Sequence, residues 1–96
     1  MNPFQLDDRT WVIYLQVPGP QVVLFQALFE NYEGLGIVRT LDIRTSRVCL
    51  LTTGSMLPDC MTALENIRGL VPWRFLTDDE FSGFRDGSFL LQEDDD

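Results

Sequence analysis

From Trp11 to Val17 the chain alternates: Trp11, Ile13, Leu15 and Val17 fall on one side and Val12, Tyr14 and Gln16 on the other. A period of two predicts a β-strand with one face in a core. Pro18-Gly19-Pro20 ends it. Gly19 is an acceptable N-cap, and Pro20 suits the first helical position, where its missing N–H had no partner. From there to about Glu33, Val22, Phe25, Leu28, Phe29 and Tyr32 recur at helical spacing, and Gly34 supplies the left-handed residue past the helix end. Leu35 to Ile43 and Arg47 to Thr53 are predicted as two more strands. The connector around Arg44, Thr45 and Ser46 is short enough for an antiparallel hairpin. After Gly54 and Ser55 a second helix runs from about Met56 or Pro58 to Arg68. Its inward stripe is Leu57, Cys60 or Met61, Leu64 and Ile67, and Gly69 closes it. Leu70 to Leu76 is the last strand, with Trp73 and Phe75 on one face.

The segment order is therefore βαββαβ, which predicts an α+β fold. It is the ferredoxin-like sandwich: a four-stranded antiparallel sheet, order 4-1-3-2, with both helices on one face. Pro72 agrees, because proline cannot donate to a β-ladder and strand four is an edge in that order. The 96 residues make one domain, with residues 1–10 as a flexible lead-in, 11–76 as the folded unit and 77–96 as a tail.

Net charge is −8, but it is unevenly placed. Residues 77–96 carry eight acids against Arg85 alone, whereas residues 9–76 carry six arginines against five acids. The folded part is nearly neutral and the acidity belongs to the ends. Thr77 to Glu80 has the capping-box pattern of a helix start. Phe81, Phe84, Phe89, Leu90 and Leu91 then sit among acids. Two outcomes are open for them: they cover the second face of the sheet, where Tyr14 lies, or they form a partner-binding segment that folds on contact.

There is no histidine and no lysine. That removes Ser-His-Asp and Cys-His nucleophile systems, histidine metal ligands, Schiff-base lysines and a Walker lysine. Cys49 and Cys60 are too far apart for a CxxC pair and do not make a structural zinc site; they read as free, small apolar side chains, with a disulfide only in an oxidising compartment. No EF-hand spacing exists. The third strand, Arg47-Val-Cys-Leu-Leu-Thr-Thr53, has none of the aromatics on which this sheet stacks RNA bases. The expectation is a protein that is not an enzyme, with no cofactor, metal, nucleic acid or membrane partner. No apolar run approaches a membrane span and the first residues lack a signal-peptide pattern, so the expected location is cytoplasmic.

Two candidate sites remain. The first helix carries no acid in its first turn, so its N-terminal N–H groups at Gly19, Gln21 and Val22 could hold a ligand carboxylate, or simply meet water. Arg39, Arg44 and Arg47 gather around the hairpin with Asp42 as the one nearby acid. They are either a docking patch for an acidic partner or for the chain's own tail, or solvated charges that blunt an edge strand.

The run Val17-Pro-Gly-Pro20, a helix, then Tyr32-Glu-Gly34 and a strand resembles the opening of an ACT domain. Tyr32-Glu-Gly-Leu-Gly-Ile-Val-Arg-Thr-Leu-Asp42 is also similar to a small bacterial domain family of unknown function with the same ACT-like layout. The resemblance covers residues 11–76. It implies a regulatory or binding module, often a homodimer, with small ligands such as an amino acid or carboxylate held at the first turn near a second copy. The alternative is an interaction adaptor acting on a protein partner through Phe81, Phe84 and Phe89 of its acidic tail.

Overall fold

β2 (Trp11–Gln16) is the central strand of the sheet in the computed structural model, which describes residues 1–85. It pairs antiparallel with β4 (Arg47–Thr52) over its whole length, from Trp11 opposite Thr52 to Gln16 opposite Arg47. β3 (Ile37–Asp42) lies beyond β4, joined to it by a tight connector in which Ser46 takes a φ of 60°. A register shift between Thr40 and Asp42 bulges β3 at Leu41. The Ser46 carbonyl accepts from the Val17 N–H at 3.2 Å, and Gln16 Nε2 donates to the Thr45 carbonyl, so the connector is tied to the end of β2.

On its other side β2 meets two short strands. β1 (Phe4–Gln5) pairs with Val12 and Trp11, and β5 (Arg74–Phe75) pairs with Leu15 and Gln16. The sheet therefore has five strands in the order β1-β2-β4-β3 with β5 also on β2, which corrects the expected four-stranded order 4-1-3-2. The reason lies in two segments. Pro72 and its neighbours leave only two residues able to pair at the end of the chain's last strand. The first ten residues, expected as a lead-in, bend back through a turn in which Asp7 Oδ1 accepts from the N–H groups of Arg9 and Thr10, each at 2.8 Å. Between the two short strands, the Asn2 side chain takes the place of a missing residue. Its Oδ1 accepts from the Tyr14 N–H at 3.0 Å, and its Nδ2 donates to the carbonyls of Tyr14 and Leu76.

Three helices complete the fold: α1 (Val22–Glu30), α2 (Leu57–Arg68) and α3 (Asp78–Phe81). α1 and α2 share one core with one face of the sheet, where Phe25, Phe29, Cys60, Leu64 and Ile67 pack with Ile13, Leu15, Val48 and Leu50. Val71 and Trp73 seal its end. The Trp73 indole N–H donates to the Leu64 carbonyl at 2.7 Å, and the Arg68 guanidinium lies 3.9 Å above the ring. Fully buried side chains of this size stabilise the fold by about 1.5–3 kcal/mol each.

The other face is covered too. Val12, Tyr14, Cys49, Leu76 and Phe81 form a second core, with Phe4, Leu6, Leu41, Leu51 and Phe84 around it. The expectation that β2 buries one face is corrected: Val12, Ile13, Tyr14 and Leu15 are all inaccessible to solvent.

Two glycines set the route into β3. Gly34 has the expected left-handed φ, +80°, but α1 ends at Glu30 and not at Glu33, so this residue turns the chain in the connector and does not cap the helix. Gly36 is needed for space, because a Cβ there would lie 2.5 Å from the Leu51 carbonyl oxygen.

Candidate binding site

The segment after β2 is a single 3-10 turn, Gly19–Gln21, and α1 begins only at Val22. Proline at the second position of that turn has the φ it would need in either helix type, so it fits the tighter turn as well. The consequence is chemical. The Gln21 N–H donates to the Pro18 carbonyl at 2.9 Å, and the Val22 N–H donates to the Gly19 carbonyl. Two of the amides expected to face a ligand are already bonded within the turn.

A cavity nevertheless opens beside them. It has a volume of about 310 Å³ and is lined by Gly19, Val22, Val23, Gln26, Thr40, Ile43 and Ser46. Its walls are the first turn of α1 and the β3–β4 connector. Gly19 sits tightly against that connector, since a Cβ on it would be 3.0 Å from Ser46 Oγ. Gly19 and Val22 thus line the cavity as their sequence positions suggest, while Gln21 does not. The polar residues of the lining are Gln26, Thr40 and Ser46. Sequence reasoning missed all three, because only the hairpin's fold over α1 brings Thr40 and Ser46 there.

The rim is apolar and exposed: Val23 is 76% and Ile43 83% accessible. Leu24 and Ile37 are also exposed apolar side chains, on α1 and at the start of β3. Among the described residues β3 pairs with β4 alone, so its outer edge is free.

The three hairpin arginines do not form one patch. Arg39 stands opposite Cys49, on the sheet face away from α1 and α2. Arg44 is exposed in the connector, where its N–H donates to Asp42 Oδ1 at 3.0 Å. Arg47 points to α3, where Nη2 lies 3.4 Å from Glu80 Oε2 and Nη1 donates to the Glu80 carbonyl. Glu80 is also gripped by Arg74, whose Nη1 and Nη2 donate to its two oxygens at 2.9 and 2.8 Å. It completes the capping box as well, with the Thr77 N–H on Glu80 Oε1 at 2.8 Å. The Arg74 guanidinium, followed by the Thr77 N–H, holds the Glu80 carboxyl down at about 2.

The beginning of the acidic tail therefore covers the sheet. Phe81 is fully buried and stacks nearly parallel on Tyr14, with ring centroids 4.3 Å apart. The Tyr14 hydroxyl donates to the Phe84 carbonyl at 3.1 Å, and Phe84 is half-buried. Phe89 lies outside the described residues.

Both cysteines are free and buried, one in each core. Burial pushes the Cys49 thiol up to about 12, against the pull of Arg39. Burial raises Cys60 as well, although its Sγ donates to the Leu35 carbonyl and contacts Thr52 Oγ1. Among the described residues no cluster of acids and cysteines could hold a metal ion, and no helix is long and apolar enough to cross a membrane.

These features define a small mixed α/β domain on an antiparallel sheet, with a cavity at one end of its first helix. Residues 15–71 match the family described as a domain of unknown function (DUF4911), and the chain belongs to that family. The matched stretch includes every residue lining the cavity and stops short of β5 and α3. No curated protein and no solved structure matches the chain.

Proposed function

We propose that this chain is a non-enzymatic, ACT-like binding module of ferredoxin-like layout that self-associates and holds a small carboxylate ligand at the junction. The observation that carries the reading is the free outer edge of β3 beside exposed Val23, Ile37 and Ile43. An unpaired strand edge offers N–H and C=O groups to another strand, and apolar neighbours add area that water does not favour. The bulge at Leu41 limits such pairing to Ile37–Thr40, which selects a short, defined register. A second copy placed there closes over the rim of the cavity. The ligand that fits has an apolar body against Val22, Val23 and Ile43 and a carboxylate met by the Gln26 amide and the Thr40 and Ser46 hydroxyls.

Three of the acids lend support to the non-enzymatic part of this reading. Asp7, Asp78 and Glu80 are all held below the usual carboxylate range, by N–H or cationic partners. A general base works best with its pKa near the operating pH. The adaptor alternative draws less support, since Phe81 and Phe84 face inward.

Light scattering after size exclusion tests the association, and titration calorimetry against amino acids and small carboxylates tests the ligand. The expected result is a dimer that Ile43→Asp or Val23→Asp converts to monomer, with heat from at least one carboxylate. A wild-type chain that is monomeric at every concentration, with no heat above background, refutes the proposal.

A further inference from the structure

We propose that residues 77–84 form a latch that opens from the sheet as a unit, with Glu80 as its catch, while the α1–α2 layer stays packed. This goes beyond the binding-module reading and does not depend on it. The two cores share no residue, because they lie on opposite faces of the sheet. The bonds that shape the latch are its own: Phe81 N–H to the Thr77 carbonyl, Glu80 N–H to Thr77 Oγ1, Thr77 N–H to Glu80 Oε1, and Ser82 Oγ to the Asp79 carbonyl. Its ties to the body include Phe81 on Tyr14 and Phe4, the Tyr14 hydroxyl on the Phe84 carbonyl, the N-terminal ammonium on Asp78 at 2.6 Å, and Arg47 and Arg74 on Glu80.

A helix of this length has no stability of its own, so once those ties part the segment leaves together. Arg74 is half exposed, and the pairs that involve it are screened by salt. Opening uncovers Val12, Tyr14 and Cys49, all inaccessible when the latch is shut. Cys60, in the other core, stays covered.

The two thiols make the proposal measurable on the full chain. Alkylation of each is followed by mass spectrometry, and global unfolding by tryptophan fluorescence. Cys49 is expected to react at least about tenfold faster than Cys60 and faster than the chain unfolds. Glu80→Gln, and separately ~1 M salt on the unaltered protein, are each expected to speed Cys49 roughly threefold while leaving Cys60 unchanged. If Cys49 reacts no faster than Cys60, no separate opening exists and the proposal fails. It also fails if Cys49 is faster but indifferent to both perturbations, because Glu80 is then not the catch.

Discussion

Replacing Phe81 by alanine removes a ring that is wholly buried, 4.3 Å from the Tyr14 ring and 6.1 Å from that of Phe4. In a fixed core such a truncation costs about 3–5 kcal/mol, of which the aromatic pairing accounts for about 1 kcal/mol. Phe29→Ala, between α1 and the first core, is expected to cost that full amount, a large share of the roughly 5–15 kcal/mol that holds a domain together. Phe81→Ala has an escape. Once the truncated latch opens ahead of the rest, further weakening of its contacts no longer reaches the global transition, so the loss is capped at the latch's own closing free energy. Urea unfolding read by tryptophan fluorescence should therefore show a shift for Phe81→Ala of roughly half that of Phe29→Ala or less. The slope of free energy against urea should also fall for Phe81→Ala, because its folded form already exposes the Tyr14 face. A Phe81→Ala loss equal to that of Phe29→Ala, with an unchanged slope, would show a single indivisible core and refute the reasoning.

Gly36→Ala should destabilise the fold by about 1–3 kcal/mol, since the added methyl meets the Leu51 carbonyl at 2.5 Å and the β3–β4 pair must shift; thermal unfolding measures it, and an unchanged midpoint would contradict the close approach. Acid should release the latch from a defined window. The Glu80 carboxyl is depressed from 4.5 to about 2, so its contribution is complete above about pH 4.5 and is lost as the pH falls through the folded-state value. Near-ultraviolet circular dichroism of the Tyr14–Phe81 stack is expected to stay level from about pH 8 to 5 and then decline, and a transition centred near neutrality would exclude Glu80 as its source.

The elements of the fold were largely readable in the chain because their patterns are local. The alternation from Trp11 to Val17 marks β2, the stripe through Phe25 and Phe29 marks α1, and Thr77 with Glu80 marks the start of α3. What escaped depends on tertiary contact. Gly36 looks like any turn glycine until β4 brings the Leu51 carbonyl against it. Asn2 is an unremarked terminal residue until a gap beside Tyr14 needs its carboxamide. Proline at position 20 is compatible with both helix types, so the chain alone does not say that the amides of Gln21 and Val22 are spent on a 3-10 turn. The candidate site divides in the same way: Gly19 and Val22 were legible, while Thr40, Ile43 and Ser46 arrive from a hairpin whose fold over α1 no local pattern encodes.

The split margin made of β1, the Asn2 carboxamide and β5 limits how copies can join. Neither fragment is long enough to template an incoming strand, and a side chain interrupts the row between them. Among the described residues, the outer border of β3 is thus the one long unpaired edge of the pleated layer. Two copies that met there would consume it in both, so association by this route would terminate as a closed pair instead of propagating into a fibre.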